Sequence, residues 1–239
     1  LALLNLADNN LTRDETINPV VGDEAEIYDL DIRTDGKLLV AGNFSHVNGQ
    51  PHFGLARLLA NYTLDNAFHP FACFPGGRSE AVLALPDGRV VAGFGDAGLF
   101  LISETGTLTD LSAYNHYDQV SSLALQSDGK VLVGSSFGLG LRRIKADFSG
   151  EDEQFIPGNA NGTINDLALV GDKILAAGDF SQYNGESIAG IIRLRSTGEI
   201  DGGFIPPLIL TDVENPGVLY KIIPLSSGDV LAGGYFHEV

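Results

Sequence analysis

Asp35 to Phe44 reads DGKLLVAGNF, and the chain returns to this stretch four more times. The copies are DGRVVAG from Asp87, DGKVLVGSSF from Asp128, GDKILAAGDF from Gly171 and SGDVLAGGYF from Ser227. Each reads as a two-residue turn feeding a short apolar run that ends in small residues. Internal repetition outranks any local motif in deciding a fold. With Gly42, Gly93, Ser135, Gly178 and Gly234 as markers, the spacings are 51, 42, 43 and 56 residues. That range overlaps propeller blades, at about 40–50 residues each, and is too long for leucine-rich or ankyrin repeats.

Within one copy, Ile27 to Arg33 reads as a first strand and Lys37 to Phe44 as a second. Leu38 to Ala41 is continuously apolar, as expected of a strand covered on both faces. Phe53 to Leu59 is the third strand, Asn61 to Thr63 a turn, and Leu64 to Phe68 a short fourth. The later copies place third and fourth strands at 98–103 and 107–111, 140–145 and 153–156, and 190–195 and 199–204. The expected fold is therefore all-β, a β-propeller of four-stranded antiparallel blades in a single domain over 1–239. Its repeats run about 27–70, 78–114, 120–157 and 164–207. Residues 1–18 read as the tail of a repeat and 219–239 as the head of one, giving five blades if they combine. The alternative is part of a six- to eight-bladed ring.

Composition narrows the function. Hydrophobic residues make up 44% and charged residues 19%, too apolar for disorder. A net charge of −17 repels phosphate backbones and anionic lipid, which disfavours nucleic-acid and membrane-surface partners. Cys73 is the only cysteine, so neither an intrachain disulfide nor a cysteine-based zinc site is available. No run approaches the ~18 apolar residues of a membrane span. Leu1 to Leu6 is too short, and lacks the basic lead-in, for a signal peptide. The absence of Met suggests a piece of a longer chain, with neighbouring domains.

Gly42 to Gly49, GNFSHVNG, is followed by Leu55-Ala56-Arg57-Leu58 and by Leu64-Asp65-Asn66-Ala67-Phe68. Gly178 to Gly185, GDFSQYNG, is followed by Ile192-Arg193-Leu194 and Ile200 to Phe204, and Phe236 to Val239 opens a third such unit. This several-part pattern resembles the delta-60 repeat. The two middle copies lack the F-x-x-x-N-G loop and are degenerate. The resemblance implies a β-propeller of secreted or cell-surface bacterial proteins, often beside adhesion modules, and implies no common activity.

Two motif matches are explained by the repeat. Gly134 to Gly138 fits G-x-S-x-G, but its columns are the end of a repeated strand, without the strand-turn-helix context of a nucleophile elbow. Gly93 to Gly98 fits G-x-G-x-x-G yet leads into a strand, where a dinucleotide site needs a helix. His46, His52, His69, His116 and His237 show no paired metal spacing, although His46 and His52 flank Asn48-Gly49. Acids cluster from Asp147 to Glu153 without a calcium-loop signature, leaving weak calcium binding as the one cofactor expectation.

Two candidate sites remain. Aligned first strands put Asp29, Val82, Ser122, Asp166 and Lys221 in one column, which in a propeller lines the channel. The polar members would hold a ligand there, or serve a hydrolase or lyase through Asp29, Asp166 and Lys221. The loops 45–52 and 181–187, carrying His46, Asn48, Tyr183 and Asn184, would instead recognise a glycan or protein ligand. The favoured expectation is an extracellular, non-enzymatic binding or scaffold module acting through these loops.

Overall fold

The computed structural model of the chain describes residues 4–7, 10–13, 25–70, 77–111, 119–136, 140–188, 190–205 and 217–236. These residues are all-β, with a single-turn 3-10 segment at Gly95–Ala97. They fall into two compact units, Leu1–Asp110 and Leu111–Val239. Cys73, His116, His237, Pro206-Pro207 and most of the 1–18 tail lie outside the described residues.

In the first unit, β1 (Leu4–Ala7) and β2 (Asn10–Arg13) form a hairpin. The first repeat comprises β3 (Glu26–Ile32), β4 (Leu38–Asn43), the short pair β5 (His46–Val47) and β6 (Gln50–Pro51), and β7 (Leu55–Leu58). Its sheet has the order β3-β4-β7, and β5-β6 stands apart as a miniature hairpin. The second repeat is a four-stranded antiparallel meander of β8 (Ala81–Ala84), β9 (Val90–Phe94), β10 (Gly98–Ile102) and β11 (Leu108–Asp110).

In the second unit, β12 (Val120–Leu125), β13 (Val131–Ser135) and β14 (Leu141–Ile144) form one sheet. The next repeat contains β15 (Ile164–Val170), β16 (Lys173–Gly178), the miniature hairpin β17 (Gln182–Tyr183) and β18 (Glu186–Ser187), and β19 (Ile191–Leu194). Its sheet order is β15-β16-β19, and β20 (Val218–Pro224) with β21 (Val230–Tyr235) makes a final two-stranded sheet.

The continuous apolar runs are second strands, and every residue of β9 and β13 is buried, as are all but the last of β4 and all but the first of β16. The cause is face-to-face stacking of successive sheets. Leu39, Ala41 and Leu55 of the first repeat share a core with Val82, Val90, Ala92 and Phe100 of the second. Ala124, Leu132 and Leu141 pack on Leu167, Ile174, Ala176 and Ile192, whose sheet presents Leu175 and Ala177 to Leu219 and Ile222.

The turns differ from expectation. Arg33 and Lys37 close a three-residue loop in which Arg33 N–H bonds to the Lys37 carbonyl and Gly36 N–H to that of Arg33. Gly36 takes φ +80°, so this is a type I turn with a left-handed glycine. The same bonds recur at Gly88, Gly129 and Gly228. Among these turns between first and second strands, only Gly171-Asp172 is of two residues, between paired Val170 and Lys173.

Fourth strands also differ. Of the four whole repeats, only the second has a full fourth strand among the described residues, β11; in the others the fourth segment makes one bridge, at Leu64, Glu151 or Ile200. The expected strand at 153–156 is absent. Asp65, Asp152 and Asp201 explain this. Each donates its N–H to the carbonyl of an arginine on the third strand, and its Oδ1 accepts the N–H two residues on. That Asx turn bends the chain off the sheet after a single pair. In the four-stranded sheet Thr109 follows the paired Leu108, where the other repeats place the aspartate, and pairing continues through Asp110.

Candidate functional site

The strand registers put the column residues at one position: Asp29 lies opposite Ala41, Val82 opposite Ala92, Ser122 opposite Gly134, Asp166 opposite Ala177 and Lys221 opposite Gly233. In four of the five, the register shifts just before that residue, between Ile27 and Asp29, Val120 and Ser122, Ile164 and Asp166, and Leu219 and Lys221. A bulge of this kind re-aims the side chains around it.

Their polar atoms are directed at the backbone of the following inner strand. Asp29 Oδ2 accepts the Val82 N–H at 2.9 Å, and Asp31 Oδ2 accepts that of Ala84 at 2.7 Å. Ser121 and Ser122 hydroxyls both donate to the Ile164 carbonyl, at 2.7 and 2.8 Å. Asn165 Nδ2 donates to the Leu219 carbonyl, and Asp166 Oδ2 accepts the Ile222 N–H at 2.8 Å. The other Asp166 oxygen meets Lys221 Nζ at 2.8 Å. Burial raises the Asp31 carboxyl above its ordinary range, against the Ala84 and Ile32 N–H groups that lower it. The column thus staples β3 to β8, β12 to β15 and β15 to β20. Asp166 is buried and engaged on both oxygens, an arrangement unlike that of a general base open to substrate.

A second set of polar groups went unnoticed in the sequence. Arg57 pairs with Asp65 at 2.9 Å and its guanidinium lies 4.4 Å from the Phe68 ring centroid. Arg143 repeats this with Asp152 and Phe155, and Arg193 with Asp201 and Phe204. Arg57 and Arg143 also donate to the carbonyls of Glu104 and Ser196, in the turn between third and fourth segments of the following repeat. Burial alone would raise the Asp65 and Asp152 carboxyls. The N–H two residues on, a lysine and the arginine together outweigh it and hold both below the ordinary range. The available signal was an Arg followed eight or nine residues later by an Asp in three of four repeats.

The loop candidates separate into tip and anchor. In β5-β6 the turn residues Asn48 and Gly49 have φ of 50° and 75°, and in β17-β18 Asn184 and Gly185 have 50° and 83°. Positive φ at both positions marks the hairpin turn for which Asn-Gly is the best dipeptide. His46, Asn48, Gln182 and Asn184 are exposed. Tyr183, expected on the recognition surface, is instead a core residue with no exposed area, packed with Phe180, and Val47 is buried in the same place in the first repeat. Burial pushes the Tyr183 phenol well above its ordinary range. Asn184 is partly structural: its Oδ1 accepts the Asn159 N–H at 2.8 Å. Asn161 Oδ1 likewise accepts the N–H groups of Ser181 and Gln182.

Other candidates disperse. His52 is buried and stacks on His69, with ring centroids 5.8 Å apart, while His46 Nδ1 bonds Ser45 Oγ. Desolvation, with His69 beside it, lowers the His52 pKa. In the 147–153 cluster, Asp152 is taken by Arg143 and Lys130 and Glu153 by Lys145, while Asp147 Oδ1 accepts the Ser149 N–H. No three metal-ligating side chains come together among the described residues. Ser136 of the G-x-S-x-G match is buried at the end of β13, against the Gln119 carbonyl. No helix among the described residues is long and apolar enough to cross a membrane.

Comparison with known proteins bears on the fold. The extracellular domain of a hybrid two component system of B. thetaiotaomicron superposes with a TM-score of 0.61 at 15% identity, over 89% of this chain and 26% of that one. The extracellular domain of a one component system of B. thetaiotaomicron gives 0.59 at 15%, over 92% and 30%. A Bacteroides caccae protein of unknown function gives 0.55 at 14%, over 88% and 71%. The chain spans about a quarter to a third of the first two structures. No curated protein sequence matches it. The family model of a beta-propeller domain of unknown function, DUF5122, matches residues 33–68 and 172–204. Those are the two segments that carry the Asn-Gly hairpin with the Arg-Asp-Phe clamp, and in them the chain is similar to a β-propeller family.

Proposed function

We propose that the chain is an extracellular β-propeller module of the delta-60 repeat class, a binding or scaffold part of a larger bacterial surface protein. Residues 1–239 act as one domain with one blade per repeat, five if the terminal halves combine and otherwise part of a six- to eight-bladed ring, and its ligand is a glycan or a protein. Recognition falls to the tips of the two miniature hairpins. The observation that carries this is their construction: a buried anchor, Val47 or Tyr183, under a tight Asn-Gly turn with exposed polar residues around it. A rigid frame with variable exposed tips is how loops acquire specificity. Similarity to extracellular domains of Bacteroides proteins supports the location, and a net charge of −17 argues against nucleic acid.

The test is a glycan array probed with the intact chain, repeated with His46→Ala/Gln50→Ala and with Gln182→Ala/Glu186→Ala. Binding to a defined glycan class, lost in at least one tip variant, is the expected outcome. Silence on the array and in a pull-down with surface proteins, or binding untouched by both variants, would overturn the reading.

A further inference from the structure

Arg142, on β14, carries a charge that the fold does not call for. Every other lysine or arginine with a described side chain pairs with a carboxylate. Arg142 makes no ion pair among the described residues, in a chain of net charge −17. Packing gives no reason for it either. Arg142 stands opposite Val133, and the residues at the matching register of the two Asn-Gly repeats, Ala56 opposite Val40 and Ile192 opposite Ala176, are apolar and buried. The guanidinium is instead tied to the chain beside the β17-β18 hairpin. Its Nη1 donates to the carbonyls of Leu141 and Gly158, at 3.1 and 3.2 Å, and its Nη2 to Asn159 Oδ1 at 3.4 Å. Asn159 is in turn locked to the hairpin turn: its N–H donates to Asn184 Oδ1, and its carbonyl accepts the Asn184 N–H, both at 2.8 Å.

The groups this cluster leaves unused are donors. With Nη1 committed to carbonyls, the edge of the guanidinium formed by Nε and Nη2 remains, and Nε has no acceptor among the described residues. Asn159 and Asn184 are both exposed. Each has its oxygen taken, by Arg142 Nη2 and by the Asn159 N–H, which fixes the amide so that Nδ2 is the unused end. Asn161 is engaged at both ends within the hairpin, through Ser181 and Gln182. A planar pair of N–H donors matches a carboxylate by two parallel bonds, and flanking amide N–H groups suit hydroxyl and ring oxygens. Protein interfaces gather around aromatic or aliphatic anchors, and this tip offers none, since Tyr183 and Ala160 are sealed. A single cation in so acidic a chain also favours carboxylates spaced among neutral sugars over a dense polyanion.

We propose that the β17-β18 tip, together with Arg142, binds a glycan bearing uronic acid. The Nε and Nη2 groups of Arg142 take the sugar carboxylate, and Asn159 Nδ2 and Asn184 Nδ2 donate to its neighbouring oxygens. The inference rests on the reading of the hairpin tips as recognition sites, and names the ligand class of the second one.

The experiment titrates the intact chain by calorimetry with an aldotetraouronic acid (a glucuronate on xylotriose), with a hyaluronan tetrasaccharide, and with the carboxyl-reduced form of each. Saturable binding of at least one uronate is expected, with its reduced form at least about tenfold weaker. Arg142→Gln should bring uronate binding down to that of the reduced sugar, whose own affinity should stay where it was. Asn159→Asp keeps the guanidinium but gives it a carboxylate within the protein, and should cause the same loss. Circular dichroism of each variant confirms the fold. Flat titrations with both uronates, equal affinity for the reduced forms, unchanged binding by Arg142→Gln, or tighter binding of a triglutamate peptide would each overturn the proposal. A neutral glycan captured on the array and lost in a tip variant, beside flat uronate titrations, would refute this inference and leave the hairpin reading standing.

Discussion

Replacing Asp166 by alanine tests whether the inner-strand column is a set of main-chain staples. Asp166 is buried and its Oδ2 accepts the N–H of Ile222, itself 3% exposed. Alanine strands that N–H without water, at about 1–3 kcal/mol, and removes a charged acceptor from a packed joint. Together with the void, roughly 2–4 kcal/mol is expected. The ion pair adds little, because the Lys221 side chain is 65% exposed and such pairs contribute under about 1 kcal/mol. Asparagine keeps an oxygen for Ile222 and should cost only about 1 kcal/mol. The order of damage is therefore Asp166→Ala, then Asp166→Asn, then Lys221→Ala. Urea unfolding by fluorescence gives the midpoints, and a thermal scan should show about 2–4 °C per kcal/mol for a chain of this size. If Lys221→Ala costs as much as Asp166→Ala, or asparagine does as badly as alanine, the staple account fails.

Three further outcomes follow from the structure. Tyr183→Phe should be neutral or stabilising, since the buried hydroxyl has no hydrogen-bond partner, whereas Tyr183→Ala should lose about 3–5 kcal/mol in denaturant unfolding. Gly158→Ala should destabilise by about 1–3 kcal/mol because its Cβ would strike the Tyr183 ring, and Tyr183→Leu should recover part of that loss. The folded-state pKa of His52 is lowered, so the unfolded chain binds more protons just below pH 6.5. Stability should therefore fall as pH drops from about 6.5 towards the folded value, and His52→Gln should flatten that slope in stability measured against pH.

The repeats were legible because glycine-containing turns and apolar runs are local signals, and second strands fell within a residue or two of their expected bounds. Fourth strands were misjudged because Asp65, Asp152 and Asp201 look like ordinary turn acids until their arginines are in place. Val47 and Tyr183 illustrate a different limit. They occupy the same loop position, and nothing local distinguishes a tyrosine that faces a ligand from one sealed under a hairpin. Alignment put the column residues at one register position, but sequence could not say whether its carboxylates faced open solvent or the amides of the adjoining strand.

Those joints have an evolutionary consequence. Each is directional: a side chain reaches forward, and what it grips is main chain. Val82 receives Asp29 through its N–H and so needs no polar group of its own. Because every residue type presents the same amide, a newly duplicated unit can dock on its predecessor without compensating substitutions. Copies can then diverge in side chains, as the second and third repeats have done, without losing their place in the row.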